Sequence, residues 1–279
     1  MGQTVTLLSQ DFEGSNNTLT NISFRGSDAD ANGRWSGVFY WLRGIWVNNV
    51  SYVNFCNVSG HGGFTGGGAV LSGTGVYLQG NGKPTAVGPG YGVVYNFTGC
   101  VFDFLDQGVV YGQYVQGVTV NQCNFTKVNV GISSPGSVAG ELDQLVVTNS
   151  QFAYKIVGIQ ANTKILVANI SNCMLQPAQE GLSTFGGIQG IFQAFTFTGN
   201  SFINAFSTTS AYGILLTPGA NTGIITGNVF FGTMNYGVLL QSGVTHVSVQ
   251  SNKYNGPGAN TSPPASVPGD AIAIGGGSS

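Results

Sequence analysis

Residues 117–125 read GVTVNQCNF. Apolar and polar side chains alternate through Val118 and Val120, a polar corner follows, and Phe125 closes the phrase. The same phrase returns as QLVVTNSQF at 144–152, AFTFTGNSF at 194–202, GIITGNVFF at 223–231 and HVSVQSNKY at 246–254. β-Branched and aromatic residues at period two, ended by a turn signal, specify a short strand and a tight corner.

Aligning the copies on the residue two before the closing anchor gives the series Cys56, Cys100, Cys123, Ser150, Cys173, Asn200, Asn228, Asn252. Its anchors are Val58, Phe102, Phe125, Phe152, Leu175, Phe202, Phe230 and Tyr254. From Cys100 the steps are 23, 27, 23, 27, 28 and 24 residues, and the 44-residue step from Cys56 leaves room for an insertion or an irregular turn. A second landmark keeps the same beat: Gly44-Ile45, Gly75-Val76, Gly108-Val109, Gly131-Ile132, Gly158-Ile159, Gly187-Ile188, Gly213-Ile214 and Gly237-Val238. A unit this short has too little apolar surface to bury alone, so the copies must stack strand on strand. Eight or nine coils at ~4.8 Å each make a rod roughly 40 Å long.

Composition agrees with one all-β domain over residues 1–279. Its 45 glycines show no Gly-X-Y period, and no amphipathic helix interrupts the strands. Only 6% of residues are charged and the net charge is −2, which excludes the basic patch of a nucleic-acid binder. No apolar run reaches the ~18 residues of a spanning helix, so membrane insertion is not expected. The opening MGQTVTLLSQDF lacks the basic and apolar regions of a signal peptide.

The four cysteines share one repeat position, which reads as a ladder of small buried thiols giving way to Ser and then Asn. Stacking would also allow a disulfide between adjacent coils. Two stretches interrupt the repeat: a Gly-rich loop insertion over 60–92, a candidate groove wall, and a Pro/Gly-rich last coil and tail over 255–279 with one strand-like run, DAIAI. Neither end supplies an evident cap, so the chain reads as part of a longer protein or as capped by partner chains.

Two candidate sites lie close together near the N-terminus. DADANGRWS, 28–36, places Asp28, Asp30 and Asn32 like the first ligands of a calcium loop, but Phe39 stands where the bidentate Glu belongs. Calcium is the one metal the sequence suggests, and no cofactor is required. RWSGVFYWLRGIW, 34–46, holds all three tryptophans. Trp35, Tyr40, Trp41 and Trp46 are candidates for stacking on sugar rings, or for covering an end of the rod or a contact between chains.

The phrases ITGNVFFG, FTGNSFIN and VTVNQCNFTKVNVGI resemble the right-handed parallel β-helices of the pectate-lyase-like superfamily, which includes polygalacturonases and bacteriophage tailspikes. The resemblance covers about Leu19 to Tyr254. It implies a right-handed, single-stranded solenoid that faces a polysaccharide and binds or cleaves it, outside the cell or on a virion tail, with trimerisation as in tailspikes. Cleavage would need two carboxylates about 5 Å, or about 6.5 to 9.5 Å, apart. With ten acidic residues in the chain, the candidates are Asp103 and Asp106 in CVFDFLDQG, then Glu141, Asp143 and Glu180. Gly60-His61-Gly62 matches a polygalacturonase tripeptide, but the acidic motifs and the Arg-Ile-Lys motif of that family are absent, so His61 reads as a loop histidine. The shortage of acids leaves a second expectation, a non-catalytic structural or adhesive shaft.

Overall fold

The computed structural model describes residues 5–8, 17–25, 42–62, 72–80, 92–136, 142–178, 184–205, 210–232, 234–255 and 270–274. Among them every regular element is a strand. The strands form three parallel ladders joined by corners. The first climbs from Val5–Leu8 through Arg43–Asn48, Ser72–Gln79 and Leu105–Tyr111 to Tyr236–Gln241. The second runs from Asn17–Thr20 through Val53–Cys56 and Gly92–Thr98 to Thr245–Gln250, and the third from Ser23–Arg25 through Ser59–His61 and Val101–Asp103 to Lys253–Asn255. About six regular turns follow one another from Leu105 to Asn255, and three rungs with longer connections precede them. The protein is therefore an all-β parallel solenoid, as the repeat requires.

The repeat residues are its interior. Ile45, Val76, Val109, Ile132, Ile159, Ile188, Ile214 and Val238 lie in direct register on the first ladder, all buried. Phe102, Phe125 and Phe152 stack on the third ladder with centroids 5.4 and 4.6 Å apart, and Phe202, Phe230 and Tyr254 continue the column at 4.8 and 5.0 Å. Burying each such ring is worth about 1.5–3 kcal/mol. The landmark glycine has a steric cause. A Cβ on Gly131 would stand 2.5 Å from both the Gly158 carbonyl oxygen and the Phe152 ring, so only a bare backbone lets the two ladders close on each other.

The corner between the second and third ladders also repeats. Gln122, Asn149 and Asn172 adopt left-handed backbone there (φ 54°, 51° and 53°), and glycine does so at 199 and 227. Asn tolerates that region better than most side chains, which explains the Asn and Gly before the ladder position. The next residue turns inward and serves the coil before it. The Cys173 N–H donates to Asn200 Oδ1 at 3.0 Å, and the Asn200 N–H donates to Asn228 Oδ1 at 2.9 Å. The Asn228 N–H in turn donates to Asn252 Oδ1, also at 2.9 Å.

Three expectations change. Cys56 does not belong to the cysteine ladder. It pairs with Thr98, two residues early, while Ser59 lies on Val101, so Val58 takes the ladder position and Gly60 the anchor. The alignment from sequence slid by two residues because one two-residue step preserves the inward–outward alternation. All four thiols are free, three buried and Cys56 partly exposed. Second, 60–92 is not one loop: Ser72–Gln79 crosses it as a strand, and the 44-residue step is one rung whose additional residues fall in 63–71 and 81–91, outside the described residues. Third, DAIAI joins the sheet. Asp270–Ile274 pairs with Tyr236–Gln241 antiparallel, against the direction of every other pairing among the described residues, and covers the edge of the first ladder.

Candidate functional site

Residues on either side of each Gly-Ile/Val landmark point away from the core. On the first ladder these flanks build a groove of about 280 Å³. It crosses five successive coils, contributing Arg43, then Thr74 and Tyr77, then Gln107, Ser133 and Gln160. Four steps of ~4.8 Å make it about 19 Å long. Its polar groups are fixed. The Ser133 hydroxyl donates to Gln107 Oε1 at 2.6 Å, and Ser134 Oγ accepts the Thr163 N–H at 3.0 Å. At the N-terminal end the Arg43 guanidinium lies 4.1 Å from the Tyr77 ring centroid and 4.8 Å from that of Trp46. The Trp46 indole N–H donates to Gln79 Oε1 at 3.2 Å, which holds the platform in place. Among the described residues no acidic one lines the groove.

Of the sugar-stacking candidates, Trp46 is thus part of an aromatic and cationic shelf beside the groove, with one ring face given to Arg43. Trp35, Tyr40 and Trp41 lie outside the described residues, as do Asp28, Asp30, Asn32, Glu141 and Glu180. Among the described residues no three His, Cys, Asp or Glu side chains gather closely enough to hold a metal.

The acidic candidates separate. Asp103 ends the third-ladder strand Val101–Asp103, and Asp106 stands in the first-ladder strand Leu105–Tyr111. The corner between them is Phe104, at φ 54°. Each has its own partner: Asp103 Oδ1 meets His61 Nδ1 at 2.8 Å, and Asp106 Oδ1 accepts from Asn129 Nδ2 at 2.8 Å. His61 is therefore a strand residue with a carboxylate partner rather than a loop histidine. The pair sits on the third ladder, 28% and 21% exposed at its side chains, next in register to Thr126. Thr126 and Lys127 border a second hollow of about 260 Å³ that continues toward Gln176 and Ile203. Asp143 belongs to the second-ladder strand Leu142–Thr148. After burial itself, the Asp143 charge is the next influence pushing the Tyr111 phenol upward.

Sequence reasoning passed over Arg43, Thr74, Tyr77, Gln107, Ser133 and Gln160, although a signal was present. Each stands immediately beside a landmark pair, at one of two fixed offsets. It also passed over the partnership of His61 and Asp103, 42 residues apart, because that contact depends on the register across the irregular rung.

No family model matches the chain, and no curated protein matches it. The chain is a parallel β-helix. Among solved structures it is similar to two double-mutant forms of the tailspike protein of E. coli bacteriophage HK620, at 13% and 12% identity with TM-scores of 0.33 and 0.30. Each alignment covers 86% of this chain and 60% of the tailspike, so the chain spans less than two thirds of that protein's length. Among the described residues no helix is long and apolar enough to cross a membrane.

Proposed function

We propose that this β-helix binds a surface polysaccharide along the groove of its first ladder, and that it works outside the cell or on a virion tail, as a homotrimer. The supporting observation is the groove itself: five coils in a row offer amides, hydroxyls and an aromatic ring, with no acidic residue among the described ones that line it. A polymer with a repeating unit suits a floor with a repeating unit. Sugar hydroxyls both donate and accept, as Gln, Ser and Thr side chains do, and the Tyr77 ring adds apolar contact with a polar tip. Calorimetry against purified bacterial surface polysaccharides tests the reading. At least one should bind, and Tyr77→Ala and Gln160→Ala should each weaken it about tenfold, or ~1.4 kcal/mol. If none binds, or if both variants bind as well as the parent, the groove is not the site, and the non-catalytic structural or adhesive shaft becomes the better reading.

Cleavage of the bound polymer is a second reading, supported by the His61–Asp103 pair. An imidazole held through Nδ1 by a carboxylate presents Nε2 for proton transfer, the usual equipment of a general acid or base. Incubation with a bound polymer should then release new reducing ends or unsaturated products, and Asp103→Asn should suppress them. An intact polymer after prolonged incubation would remove this reading and leave binding untouched.

A further inference from the structure

We infer, resting on the groove reading above, that the polysaccharide is anionic and that its acidic group docks on Arg43. A guanidinium stays charged at any physiological pH. Here it stands at one end of a groove that no carboxylate among the described residues lines, and Asp103, with its partner His61, lies on a different ladder. Arg43 is held against two ring faces, 4.1 and 4.8 Å from their centroids, and the indole beneath it is anchored by Gln79. A ring contact of this kind engages the face of a guanidinium, whereas anion recognition uses its N–H edge. That edge matches two oxygens of a carboxylate or a sulfate, each bonded in the plane, a geometry that a lysine ammonium does not reproduce.

The arrangement also gives the groove a direction. The cation stands on its first rung and the uncharged Gln107, Ser133 and Gln160 on its third to fifth. An acidic substituent is therefore read at the N-terminal end, while neutral parts of the chain lie along the amides and hydroxyls. Partial shelter from water strengthens such a contact over one on an open surface.

Calorimetry with six polymers tests this: alginate and hyaluronan, the same two after reduction of their carboxyl groups to alcohols, dextran sulfate, and dextran as its uncharged control. The uronate polymers should bind, and carboxyl reduction should weaken binding about 100-fold. Arg43→Gln should cost about as much toward the acidic polymers, and Arg43→Lys about tenfold because the charge remains but the fork is lost. Dextran sulfate binding as well as the uronates would assign the site to anions generally, and its failure would assign it to carboxylates. Reduced polymers binding as well as the acidic ones, or Arg43→Gln leaving affinity unchanged, would overturn the inference while the groove reading stood. Silence from all probes and from the surface polysaccharides would overturn both. Should Arg43→Gln fail to fold, salt serves instead: parental affinity for the uronates must fall as ionic strength rises, and a flat response refutes the contact.

Discussion

The corner ladder is built in two chemistries. At its N-terminal end Cys100, Cys123 and Cys173 stand there, with Ser150 between them, and at its C-terminal end Asn200, Asn228 and Asn252. The backbone demand is the same at both ends: a buried N–H at each coil needs an acceptor from the next coil. At the thiol end the Cys100 N–H finds Cys123 Sγ at 3.4 Å, a weak acceptor. At the amide end Asn228 takes two bonds from Asn200 through one oxygen and donates through Nδ2 to the Phe197 carbonyl at 3.0 Å. The difference teaches that burial and shape define the position, while the hydrogen bonding there is adjustable. Both ends share the glycine beside the core, because that requirement is steric.

The largest effect should come from what the ends share. Gly131→Ala and Gly213→Ala place a Cβ 2.5 and 2.6 Å from a backbone oxygen of the next coil, and each should cost about 3 kcal/mol in urea unfolding. A large difference between the two would show that the ends differ in packing as well as in polar chemistry. Next comes what they do not share. Asn228→Ala strands two donors of Asn200 and two carbonyls in a buried site, for about 2–3 kcal/mol, whereas Cys123→Ala gives up weaker bonds, for about 1 kcal/mol. Equal losses would break the comparison.

The smallest effect is one of pH: within the corner ladder it belongs to the thiol end, because an amide does not titrate, and buried phenols elsewhere add to it. Burial pushes the Cys173 thiol up to about 11 and the Tyr254 phenol up to about 12, and it drives the Tyr95 and Tyr154 phenols up as well. An acid that ionises less readily when folded lets the unfolded chain lose its proton first. Its contribution is therefore complete below the ordinary values of 9.0 and 10.0 and is lost as pH rises through the folded ones. Stability measured by denaturant should decline from pH 9 upward. Cys173→Ser should flatten the part between 9 and 11, and an unchanged slope in that variant would mean the thiol contributes nothing there.

Much of this was legible in one coil's worth of letters. Period-two alternation, the left-handed corner at Asn149 or Gly199, and the crowding that demands Gly131 are all consequences of local geometry, so each recurs in every copy and can be read from any of them. The outward flanks were equally written, at fixed offsets from the landmarks. What only the tertiary structure decided were matters of register between coils separated by connections of unequal length. These were that Val58 rather than Cys56 joins the ladder, that His61 meets Asp103, that Asp103 and Asp106 turn to different ladders, that Arg43 lies across Trp46 and Tyr77, and that Asp270–Ile274 returns antiparallel to close an edge. A local pattern fixes which way a side chain points. Which partner it finds depends on how many residues the chain spends before it comes round again, and a two-residue slip keeps the pointing while changing the partner.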